Sequence, residues 1–227
     1  MAQVSQRTVW QSHAPLARTV LAIVCCSALA ACVSVDLAGK SAKEPIAHYD
    51  LGGAATIAGA GGGISLRSID VFAPSWLETP AMQYRLAYAE ASRRSSFTES
   101  RWAAPPPELI QQVLRRSLSA GDAGAVAGNC RLVVDVDEFI QRFDSPQSSA
   151  AVVELRVALL GPRGEAPLAR RSFSVLRPAP TADARGGVAA LGNATADAAV
   201  AIRGWLGVLE GEREGQSIAH RCRAAPS

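Results

Sequence analysis

Three stretches between residues 131 and 177 alternate apolar with polar side chains, and a period of two leaves few folds open. Leu132, Val134 and Val136 fall on one side of an extended chain, while Val133, Asp135 and Asp137 fall on the other. Val153, Leu155, Val157 and Leu159 oppose Glu154, Arg156 and Ala158 in the same way. Gly161-Pro162-Arg163-Gly164 then makes a turn into a third segment around Phe173 and Val175. Connections this short imply antiparallel pairing. One face of the sheet is therefore apolar and has to be covered, and the other is wet.

The cover is legible further along. Val188, Leu191, Ala198, Ile202, Trp205 and Leu209 recur at helical steps. An earlier helix is expected after Pro105-Pro106-Pro107, since proline is tolerated where the first amides lack partners. It carries Leu109, Ile110, Val113, Leu114 and Leu118 on one side and stops at Gly121. Before it, residues 64–71 alternate and run into Pro74, which fits a first strand, and Gln83 to Ala89 fits a second. The expected fold is α+β: a mainly antiparallel sheet with helices packed on one face, in the order β-β-α-β-β-β-α over residues 64–210, followed by a polar tail at 211–227. A chain of 227 residues with 48% hydrophobic composition suits one such domain.

The amino terminus reads as an export signal. A polar stretch with Arg7 and Arg18 leads into an apolar run from Thr19, and small residues follow. The run through Ala31 covers 13 residues, where a membrane-spanning helix needs about 20. Leu29-Ala30-Ala31-Cys32 resembles the lipobox of bacterial lipoproteins, in which the thiol accepts a diacylglycerol and the chain is cut just before the cysteine. Residues 1–31 are then the signal peptide, Cys32 is the lipidation site, and residues 32–63 form a tether ending in an Ala/Gly-rich loop. A cut at Ala28-Leu29-Ala30 would instead leave Cys32 a free thiol. Val33, where Asp would mark inner-membrane retention in enterobacterial lipoproteins, implies the periplasmic face of the outer membrane. Loss of residues 1–31 removes two arginines and no acid, lowering the formal net charge from +3 to +1. The pairs Arg93-Arg94, Arg115-Arg116 and Arg170-Arg171 are scattered and read as solvated faces, so no nucleic-acid partner is expected.

Beyond Cys32 the mature chain has Cys130 and Cys222. An exported location permits a disulfide between them, and two unpaired thiols are the other reading. Enzyme chemistry has little to draw on. The histidines are His13 in the signal, His48 near the tether and His220 in the tail, so neither a Ser/His/Asp triad nor a histidine-rich metal site is expected. Gly39-Lys40-Ser41 ends like a phosphate-binding loop but has Ser34 where that motif needs glycine. Asp135 and Asp137 share a strand face and read as solvation rather than as paired catalytic carboxylates.

Longer stretches carry a family resemblance. They are Tyr49-Asp50-Leu51-Gly52, the run from Pro74-Ser75-Trp76-Leu77 through Gln83-Tyr84-Arg85-Leu86, and Arg101-Trp102-Ala103. Asp137-Glu138-Phe139, Arg171-Ser172-Phe173 and the segment from Gly187 to Trp205 add to them. Residues 47–227 thereby resemble the ABC-type transport auxiliary lipoproteins, the PqiC-like group that accompanies MCE-type lipid transporters. The resemblance implies a non-enzymatic protein without a cofactor. It would be held to the membrane by lipid and would dock the periplasmic MCE-domain substrate-binding protein at the outer membrane, with homo-oligomer formation. Pro74, Trp76, Leu77, Tyr84, Arg85 and Trp102 are the motif residues, serving packing or an interface. A structural envelope lipoprotein and a stand-alone lipid carrier are the alternatives, the carrier needing an apolar cavity between helices and sheet.

Overall fold

The computed structural model describes residues 45–52, 64, 66–119, 128–162, 166–211 and 218–223. The export signal, Cys32, most of the tether, the Ala/Gly-rich loop and Gly121 lie outside the described residues. Among those described, the strands are β1 (Ala47–Tyr49), β2 (Leu66–Phe72), β3 (Ala81–Leu86), β4 (Ser95–Trp102), β5 (Cys130–Ser145), β6 (Ser148–Leu160) and β7 (Pro167–Pro178). The helices are α1 (Pro106–Ser119), α2 (Ala184–Gly211) and α3 (Ile218–Arg223), with a 3-10 turn at Ser75–Leu77.

All strands join one sheet in the order β1-β4-β3-β5-β6-β7, and β2 also pairs with β5. β6 runs antiparallel along nearly the whole of β5. The other side of β5 is divided, with β2 parallel to its first half and β3 parallel to its second. The long ladders β5–β6 and β6–β7 are antiparallel, so the α+β architecture expected from the alternation is the one found.

The element order is richer than the sequence reading. β1 and β4 are additional strands, paired in parallel, and β1 with Leu51 brings residues 47–52 from the expected tether into the folded body. β4 is hard to see because Phe97 and Trp102 are the only apolar residues in Ser95–Trp102. β3 starts at Ala81 and ends at Leu86, whose carbonyl accepts the amides of Ala89 and Glu90 in a turn. The expected polar tail contains α3.

The core fills the space between helices and sheet. α2, 28 residues and about 42 Å long, lays Leu191, Ala194, Ala198 and Ile202 on the sheet, all nearly or fully buried. Its small side chains let it approach closely. α2 begins at Asp183, whose carboxylate accepts the Gly186 amide at 2.7 Å and the Thr181 hydroxyl at 2.8 Å. Two glycines follow because nothing larger fits. A Cβ on Gly186 would lie 2.0 Å from the Thr181 carbonyl oxygen, and one on Gly187 would lie 2.0 Å from Oε1 of the buried Gln141. Gln141 also donates from Nε2 to Ser149 and to the Asp183 carbonyl, pinning the start of α2 to β5 and β6. At the far end of the domain, a disulfide joins Cys130 at the start of β5 to Cys222 in α3, and the Cys222 carbonyl accepts the Asn129 amide.

Candidate functional site

A β-bulge decides what the helix-free face of the sheet presents. Register shifts between Val136 and Glu138, so Asp137 is the extra residue and the alternation of β5 changes parity. Before the bulge Leu132, Val134 and Val136 point into the core, and after it Phe139 does. Glu138 is thereby turned outward. The simple alternation makes Asp135 and Asp137 equivalent neighbours, but Asp137 sits in the bulge, where Arg156 donates to it from Nε and Nη2 at 2.7–3.0 Å. The hydrogen bonds to Asp137, and after them its negative charge, hold the Arg156 guanidinium above its ordinary range.

Glu138 lies at the centre of a cluster built from four parts of the chain. Arg85 on β3 donates to its Oε2 at 3.0 Å, and Arg94, the last residue before β4, donates to both oxygens at 2.7 and 2.9 Å. The side chains are largely withdrawn from solvent, Glu138 at 12% and the arginines at 23% and 25% exposure, so these are charge-assisted bonds with reduced screening. Arg94 also donates to Gln83 Oε1 and lies over the Trp76 ring, 5.7 Å from its centroid. Gln83 Nε2 closes the circuit by donating to the Trp76 carbonyl at 2.5 Å. The result is a tryptophan that is 50% exposed yet fixed on its backbone by Gln83 and on its ring by Arg94.

The motif residues divide between two roles. Trp76 and Arg85 belong to this outer cluster. Pro74 opens the 3-10 turn, its carbonyl accepting the Leu77 amide at 2.8 Å. Leu77 and Trp102 are buried, Trp102 packing on Phe139 at 5.6 Å between centroids, and Tyr84 packs between Phe97 and Phe143. Glu138 and Gln83 lie in the stretches that carry the family resemblance but have no role assigned from sequence, and Arg94 lies outside them. Arg94 was grouped with Arg93 as solvated surface, which describes Arg93 but not its neighbour.

Both Glu138 oxygens accept hydrogen bonds from guanidinium groups, so the carboxylate fixes Arg85 and Arg94 in one arrangement. Among the described residues no group of His, Cys, Asp or Glu is placed to hold a metal ion. No described helix is long and apolar enough to cross a membrane.

A profile of the ABC-type transport auxiliary lipoprotein component matches residues 49–203. The chain belongs to that family. The auxiliary lipoprotein match includes Trp76, Gln83, Arg85, Arg94 and Glu138. Solved structures share its fold: a Xanthomonas campestris protein superposes with a TM-score of 0.57 at 20% identity, covering 72% of this chain and 87% of the other. A second, an uncharacterized protein, gives 0.55 at 18% identity over 71% and 99% of the two chains. No curated protein matches the chain. The family places this auxiliary lipoprotein as a component of ABC-type transport in the cell envelope.

Proposed function

We propose that this auxiliary lipoprotein is exported under residues 1–31, acylated on Cys32 and held at the periplasmic face of the outer membrane. There it docks the periplasmic MCE-domain protein of a lipid transporter. Residues from Val33 to about Ile46 would serve as the tether. The observation that carries the docking role is the Trp76–Arg94–Glu138–Arg85 cluster. It uses motif residues to hold an exposed aromatic ring and two arginines in one geometry, the residue types that dominate binding energy at protein contacts. The role is non-enzymatic in this reading, with homo-oligomer formation as part of the assembly.

The stand-alone lipid carrier is disfavoured by the filled layer between α2 and the sheet, where Ala194, Ala198, Ala199 and Ile202 are fully buried. The hollow of about 710 Å³ between β1 and α2 lies along His48, Asp50 and Asn193 as well as apolar residues, a mixed lining unlike an acyl-chain tunnel.

The test is recovery of partners from solubilised membranes by mass spectrometry, comparing wild type with Cys32→Ala and Trp76→Ala. Wild type should bring down an MCE protein, with recovery reduced in both variants. Confirmed acylation without an MCE partner would overturn the transporter reading in favour of a structural envelope lipoprotein.

A further inference from the structure

Among the described residues the sheet ends on one side with β7, 12 residues long and paired with β6 alone. At about 3.4 Å per residue this is roughly 40 Å of strand with one row of backbone donors and acceptors facing away from the sheet. Long free edges template pairing with another chain, and proteins guard them with proline, charge or a covering element. β7 has proline at both ends and Arg170, Arg171 and Arg177 between them, with no acid.

Those charges are unevenly answered. Arg177 is paired with Asp197 of α2. Arg170 and Arg171 have no carboxylate partner among the described residues, Arg171 lying over the Phe173 ring at 5.4 Å. The adjoining hollow on the helix-free face, about 640 Å³, is lined by Asp135, Arg156, Arg170 and Ser172 among others. Arg156 is already matched by Asp137 and also faces Asp135, so on β7 itself Arg170 and Arg171 remain as two exposed cations with no acid on the strand.

A second copy is a poor occupant. A second β7 strand brings the same arginines and no acid, so it offers nothing to answer Arg170 and Arg171. The other end of the sheet, β1, offers only three residues and none is acidic. An extended segment bearing acids satisfies both the free backbone groups and the unanswered arginines.

We propose that β7 is a docking edge to which an acid-bearing extended segment of another protein adds as the next strand of the sheet. Taking the donor to be the transporter's periplasmic protein rests on the docking reading above.

The experiment uses the full-length protein in its own cells, with a photo-crosslinking amino acid replacing Ser172, Ser174 or Leu176 one at a time. All three are exposed and lie two residues apart along β7. An added strand gives adducts to one acidic segment whose crosslinked positions step by two as the probe steps by two. The double variant Arg170→Glu, Arg171→Glu should cut adduct yield roughly ten-fold or more, as expected when attraction becomes like-charge repulsion, with an unchanged melting temperature. Adducts between two copies, to lipid, at positions without register, or undiminished in the double variant would overturn the proposal, as would no adduct at all. A stepped pattern on a protein outside any transporter would support the edge proposal and count against the docking reading.

Discussion

The two faces of the sheet use the same strands for opposite purposes. On the helix-covered face Leu155, Val157 and Leu159 of β6 are buried under small residues of α2. On the other face the same strand presents Glu154 and Arg156, exposed. The covered face gains stability from apolar area removed from water, about 25 cal/mol per Å². The open face gains little, because exposed ion pairs such as Arg156–Asp137 contribute weakly. What the open face gains is geometry: Glu138, Arg94 and Gln83 hold Trp76 in one position. Burial accounts for the first face, and a hydrogen-bonded network of oriented side chains for the second.

The two motif tryptophans put that contrast to the test. Trp102 is 2% exposed, so Trp102→Ala should destabilise by about 3–5 kcal/mol in chemical denaturation. Trp76→Ala, on the open face, should cost about 1 kcal/mol or less while losing partner recovery. Equal costs would break the division of labour. A cost between those of the two tryptophans is expected for Glu138→Ala, which leaves Arg85 and Arg94 without their shared carboxylate. A buried pair broken this way costs about 3–5 kcal/mol, reduced by the arginines' partial exposure to about 2–3. A denaturation midpoint like that of wild type would mean the cluster is held by packing alone.

A small effect belongs to the cap of α2. Asp183→Ala should cost about 1 kcal/mol. The Gly186 amide, and after it the Thr181 hydroxyl, lower the Asp183 pKa. A carboxylate with a depressed folded-state pKa stabilises above its unfolded value, near 4, and loses that contribution as pH falls through the folded value. The difference between wild type and Asp183→Ala, measured by thermal melts, should therefore be full at neutral pH and shrink in acid. A pH-independent difference would assign the effect to backbone propensity.

Much of this was legible from residue patterns. The period-two runs in β5 and β6 and the helical steps from Val188 to Leu209 announced the covered face, because burial of one side writes itself into every second or every third and fourth residue. β1 and β4 left no such trace. β1 is three residues long and pairs with a strand distant in the chain, and β4 has only Phe97 and Trp102 to mark it. The cluster around Trp76 was half visible. Trp76 and Arg85 stood out within the motif, while Arg94 looked like its solvated neighbour Arg93.

The sequence by itself determined the α+β class, the apolar side of the long strands and the family to which the chain belongs, since each rests on local spacing or contiguous motifs. Only the tertiary structure decided that Asp137 bulges, that Glu138 turns outward to meet Arg85 and Arg94, and that β7 is the last strand of the sheet among the described residues. The bulge depends on register between β5 and β6, the cluster joins residues 44 and 53 positions apart, and an edge is defined by the order of the whole sheet. None of these has a local period, so each emerges only when the strands have paired.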